Sequence, residues 1–151
     1  MMVSRAAPAA ARRAAGRPRL HETRALLDVP FHHVDALGIV WHGHYPKYFA
    51  AAGMALLRKL SLDGGELIGE RYRLVVIETA CRHAFPLRYA DRVAVTGWIA
   101  EYERRLVIRY DVRNLTHDRR AAHGHTTLAT LDADGRLRLE TPPEIVARIR
   151  S

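Results

Sequence analysis

Residues 34–49 read VDALGIVWHGHYPKYF, and this stretch decides the fold. Asp35 stands between Val34 and Ala36, and Gly38 leads into Ile39, Val40 and Trp41. An unpaired carboxylate costs several kcal/mol to bury, or shifts its pKa. Asp35 is therefore either solvated in a turn or retained for chemistry. Gly38 marks a turn. Pro46 suits the first turn of a helix, where its missing N–H would have no partner anyway. Phe49, Ala52, Gly53, Leu56, Leu57 and Leu60 then recur at helical spacing and form one apolar stripe. Arg58 and Lys59 complement the negative end of the helix dipole. The spacing predicts a helix over about residues 45–61, stopped by LDGGE.

Outward from the helix the pattern is β. Residues 21–29 read as a strand ended by Pro30, and 31–43 as a loop. Beyond the helix, strands are expected at 72–86, 91–104, 106–114 and 121–135, with RLRLE as a short last strand. TPPEIVARI (141–149) opens with prolines and is expected to form a terminal helical turn. The connections are too short for parallel crossovers, so the sheet is antiparallel. One helix with one stripe covers one sheet face. The fold class is α+β, an antiparallel sheet of five or six strands wrapped around one long helix. Its open edges and uncovered face favour dimerisation.

The 151 residues fit one domain, and 48% apolar content suffices for a core. No apolar run reaches membrane-spanning length. Cys81 is the only cysteine, so no intrachain disulfide or cysteine metal knuckle forms. The formal net charge is +8, of which five arginines in an acid-free segment, residues 1–19, supply +5. Seven alanines share that segment, which reads as a disordered basic tail (1–19) ahead of a single domain (20–151). A mitochondrial presequence shares this composition. However, arginine outnumbers lysine 22 to 2 in the whole chain, which weakens a special reading of the tail. The mildly basic body lacks the clustered face of a duplex-DNA binder. It suits a phosphate-bearing small molecule or an acidic carrier protein.

DALGIVWHGHYPKYF with the helix after it, and HAFPLRYADRVAV (83–95), resemble the hotdog-fold acyl-CoA thioesterases. The likeness is above all to the 4-hydroxybenzoyl-CoA thioesterase type and its Tol–Pal-associated bacterial relatives, and spans residues 20–145. A looser likeness is to thioesterases of aryl-polyene and xanthomonadin-type pigment clusters. The resemblance implies a hotdog fold and hydrolysis of acyl- or aroyl-CoA, or acyl-carrier-protein, thioesters. It implies no cofactor, a cytoplasmic location, and a homodimer or homotetramer with sites at subunit interfaces.

Residue by residue, the resemblance makes Asp35 the general base or the nucleophile; the alternative is an Asp that caps its own loop. The backbone amides of His42 and Gly43, at the helix start, would polarise the thioester carbonyl. The His42 side chain has either a direct role or a structural one. Tyr45 matches a family Tyr and is read as packing or substrate lining. Trp41 and Phe49 line the acyl slot or are core aromatics. Arg88 is the representative of several loop arginines (Arg82, Arg104, Arg105, Arg119, Arg120) suited to coenzyme A phosphates.

The chain also departs from relatives. Phe31 stands where some carry a Tyr. Ala50, Ala51 and Ala52 offer no acid to a helix-borne carboxylate mechanism, and Glu78 is a remote strand candidate.

Three other readings compete. HGH occurs at 42–44 and 123–125, and His32 and His33 are adjacent, but no carboxylate or Cys completes a metal-ligand spacing, so no metal is expected. GHYP (43–46) faintly echoes hotdog dehydratases, whose helix acid is missing here. A binding-only acyl-CoA domain would be expected to carry a DNA-binding module, and the short tail shows no helix-turn-helix. No nucleic-acid partner is expected.

Overall fold

The computed structural model describes residues 18–151. Most of the segment read as a basic tail lies outside the described residues. Six strands form one sheet: β1 (Leu20–Asp28), β2 (Tyr72–His83), β3 (Arg92–Glu101), β4 (Leu106–Asn114), β5 (Arg119–Asp132) and β6 (Leu137–Arg138). The order is β1-β3-β4-β5-β2, every pairing is antiparallel, and β6 adds to β5 through Thr130 and Leu131. The expected α+β architecture is therefore present. β1 and β2 are the open edges of the main path.

The main helix, α1 (Tyr45–Lys59), lies against β1, β3 and β4. It starts without a side-chain cap and carries Pro46 in its first turn. Phe49, Ala52, Gly53, Leu56 and Leu57 of the expected stripe are buried together with Tyr45 and Tyr48, while Leu60, the last expected position, lies just past the helix and is half-buried. The core continues through Val93, Val95, Ile99, Leu106, Ile108, Tyr110 and Val112, the inward-facing positions of β3 and β4. Phe49 stacks nearly parallel on Tyr110, with ring centroids 4.6 Å apart.

Several boundaries differ from expectation for local reasons. β2 ends at His83, three residues before Pro86. There the N–H groups of Ala84 and Phe85 both turn onto the carbonyl of Ala121, and Pro86 has no N–H to continue a ladder. Loop 31–43 contains two 3-10 turns, Phe31–His33 and His42–His44. The C-terminal segment is a real helix, α2 (Pro143–Arg150), because Ile145 and Ile149 are buried one turn apart. RLRLE contributes only two paired residues.

Candidate active site

The loop before α1 is held by its own backbone. Asp35 N–H donates to Ile39 O at 3.0 Å, Gly38 N–H donates to Asp35 O at 3.0 Å, and Val34 bridges Val40. Gly38 sits at φ +78°, a conformation that costs glycine nothing. Asp35 Oδ1 accepts the Leu37 N–H at 2.8 Å, an Asx-type turn. The loop-capping alternative is thus realised by one carboxylate oxygen. Among the described residues, no side chain or amide donates to Oδ2.

The loop delivers the chain to the helix start. In the turn His42–His44, the His44 and Tyr45 amides donate to the carbonyls of Trp41 and His42. Among the described residues, the His42 and Gly43 amides have no acceptor. They are free donors at the positive end of a 15-residue helix. Trp41 lays its indole across Gly43: a Cβ at that position would stand 2.2 Å from Cζ3. Only glycine fits beneath the ring as placed.

These pieces line one open cavity of about 490 Å³. Asp35, Leu37, Ile39 and Val40 form one wall, His42 and Tyr45 the helix-start wall, and His83, Ala84, Phe85 and Pro86 the third. Asp35, His42 and Tyr45 are therefore brought together. Gly43 and Trp41 flank this wall without lining the cavity. Phe49 is fully buried against Tyr110 in the core, and Arg88 is an exposed loop residue; neither lines the cavity. Glu78 pairs with His125 at 2.6 Å, away from these walls.

Sequence reasoning missed His83, Phe85 and Pro86 as cavity residues. They sit at a strand end far along the chain, and the only available signal was the Pro in HAFP that interrupts a strand pattern. His83 meets the Tyr45 ring edge-on at 4.4 Å.

The electrostatics are set by crowded imidazoles. Burial, then the cation-forming neighbour His42, holds the His83 imidazole below its ordinary pKa. Burial, followed by His44, His32 and Lys47, lowers His33. Burial, followed by Lys47 and His32, lowers His44. His33 and His44 stack at 4.2 Å, and His33 Nδ1 lies 2.8 Å from Tyr48 Oη. Burial pushes the Tyr48 phenol up to about 12 and raises Tyr45 as well, where Cys81 and Tyr48 add to the effect. Both phenols stay protonated, so Tyr45 presents a neutral O–H donor. A neutral His83 and a free carboxylate oxygen at the cavity, with unpartnered amides at His42 on its wall and at Gly43 beside it, are the parts needed to activate water or attack a carbonyl and to stabilise the oxyanion that results. Among the described residues, no group of three or more His, Cys, Asp or Glu side chains is placed to hold a metal ion.

Known proteins share the fold. The 1,4-dihydroxy-2-naphthoyl-CoA thioesterase of Synechocystis superposes with a TM-score of 0.72 at 15% identity, over 86% of this chain and 96% of that one. The DHNA-CoA thioesterase of Staphylococcus aureus gives a TM-score of 0.70 at 21% identity, over 78% of this chain and 80% of that one. At such identities the likeness is one of fold. A Synechocystis sp. protein provisionally named an esterase is 27% identical over 116 residues, which is 76% of this chain and 70% of that protein. The sequence pattern of one family runs through residues 29–149, from the end of β1 into α2, and the chain belongs to that family, the Thioesterase-like superfamily.

Proposed function

We propose that the protein hydrolyses acyl- or aroyl-CoA thioesters, with an acyl-carrier-protein thioester as the other carrier of the same chemistry. The observation that carries this reading is the meeting of Asp35, His42 and Tyr45 in one cavity at the start of α1. In this reading the thioester carbonyl oxygen takes the free amides of His42 and Gly43. Asp35 Oδ2 either accepts a proton from water, whose oxygen attacks the carbonyl carbon, or attacks that carbon itself to form an anhydride that water then opens. In both routes the C–S bond breaks and the thiolate departs. In the same reading the His42 imidazole exchanges a proton with this thiolate or with Asp35. Tyr45 and the wall beyond it receive the acyl group, and an aromatic acyl group suits a cavity lined by Tyr45, His83 and Phe85. The fold relatives named for naphthoyl-CoA esters favour the same class.

The reading includes a homodimer. Among the described residues the outer edge of β2 is unpaired, and Val76, Ile77 and Met54 are 57%, 55% and 47% exposed along it and the neighbouring helix face. Pairing this edge with a second copy would bury them. No described helix is long and apolar enough to cross a membrane. A cytoplasmic location and a cofactor-free reaction are parts of the same proposal.

The test is thiol release from a panel running from acetyl-CoA to long-chain and aromatic CoA esters, followed by carrier-protein thioesters. Turnover on at least one ester supports the reading. Tight binding of esters with no thiol released on any of them overturns it in favour of a binding-only domain.

A further inference from the structure

We propose that Asp91 and Asn114 form a buried clamp that fixes the spacing of two cavity walls and thereby positions Asp35. The proposal deepens the thioesterase reading and rests on it for its activity readout only. Asp91 is 5% exposed and Asn114 fully buried, and neither lines the cavity. Asp91 Oδ2 accepts two hydrogen bonds, from the Arg88 amide at 2.9 Å and from Asn114 Nδ2 at 2.8 Å. Asn114 Nδ2 also reaches the Pro86 carbonyl at 3.4 Å, and its Oδ1 accepts the His117 amide at 3.1 Å. The connection between β2 and β3, which carries Ala84, Phe85 and Pro86, is thus bolted to the end of β4 on both sides of Leu87.

Leu87 is the link to the other wall. Its carbonyl accepts the Val40 amide at 2.8 Å, and Val40 is the bridge partner of Val34, the residue before Asp35. The path from Asp91 to Asp35 therefore alternates hydrogen bonds and chain neighbours: the Arg88 amide on Asp91, the adjacent Leu87 carbonyl on Val40, and the Val34–Val40 bridge, closed by the bonds of Asp35 N–H to Ile39 O and Trp41 N–H to His33 O. Within 4 Å of the carboxylate, the one basic side chain among the described residues is His117, whose Nε2 stands 3.8 Å from Oδ1. A carboxylate this buried is costly to strand, so the site holds its geometry only while both donors are in place. Asp91 is then a positioning residue. A plain turn-forming Asp at the mouth of β3 would hold its own loop and leave loop 34–40 indifferent.

The two roles separate by amide hydrogen exchange on the full chain, combined with kinetics. Asp91→Ala removes the acceptor. Asp91→Asn keeps it, because both donors converge on one oxygen and the Asn carbonyl can occupy that place. We expect Asp91→Ala to speed exchange in segments 84–91 and 34–41 together while α1 stays protected, and Asp91→Asn to restore wild-type exchange in both. On the best ester, kcat of Asp91→Ala should fall by about 10–10²-fold with a smaller change in KM, since displacing the catalytic group by around an ångström is enough for that loss. Asp91→Asn should restore kcat.

Should Asp91→Ala not fold, Asn114→Ala, which leaves the Arg88 amide bonded to Asp91, is read in the same way. Wild-type exchange in 34–41 beside loosened 84–91 overturns the clamp, as does an Asp91→Asn variant that behaves like Asp91→Ala. Coupled loosening in a protein that releases no thiol from any ester supports the clamp and removes the thioesterase reading instead.

Discussion

The indole of Trp41 covers Gly43 so closely that a Cβ at position 43 would lie 2.2 Å from its Cζ3. The glycine belongs to the turn just before α1, where its amide and that of His42 have no acceptor among the described residues. Gly43→Ala must therefore push out the exposed Trp41 ring, shift the turn, or both. We expect kcat to fall by about 10-fold through displacement of the amide donors. Trp41→Ala in the same chain should return most of it by removing the clash. Steady-state kinetics of the single and double variants check this.

Phe49 is a core residue. It is fully buried and stacks on Tyr110. Phe49→Ala should destabilise the fold by about 3–5 kcal/mol in denaturant unfolding. A change of ester preference with unchanged stability would contradict its placement.

His33, His44 and His83 share one direction of shift, with burial as the first cause and neighbouring cations behind it. Their folded pKa values lie below the unfolded value near 6.5, so the unfolded chain binds more protons over that interval. Stability is fully present above about pH 6.5 and is lost as pH falls through the folded values. The melting temperature should drop between pH 7 and pH 5, and His44→Gln should flatten that drop. A melting temperature independent of pH across this range would refute the shared direction.

The β2 edge supports a fourth prediction. Val76→Glu on the exposed edge strand should shift the protein from dimer toward monomer in light scattering, because a charge there opposes strand pairing. A monomeric wild type would contradict the proposed assembly.

How much of this was legible in the chain follows from the range of each signal. The stripe from Phe49 to Leu57 is local periodicity, and it locates α1 to within two residues. The strands expected at 91–104 and 106–114 correspond to β3 and β4, the first ending three residues early at Glu101 and the second matching throughout. The Asp35 turn and the helix start are contiguous in sequence, so one half of the cavity could be read from a single motif. The other half, His83 to Pro86, reaches the site only through the antiparallel pairing of β2 with β5, a long-range register that no local pattern encodes. Phe49 and Arg88 show the converse: a fitting residue type near a motif says nothing about which way the backbone turns it. Helix geometry aims Phe49 at Tyr110, and the Arg88 backbone is taken up by Asp91.

The central claim is that Asp35 carries the chemistry as well as the turn, and one substitution separates these roles. Asparagine accepts the Leu37 amide as aspartate does, so Asp35→Asn should keep the loop and the melting temperature of the wild type. It has no carboxylate to take a proton or attack a carbonyl. Thiol release from the best CoA ester by Asp35→Asn should fall by about 10²–10⁴-fold. Wild-type turnover in that variant would contradict the account.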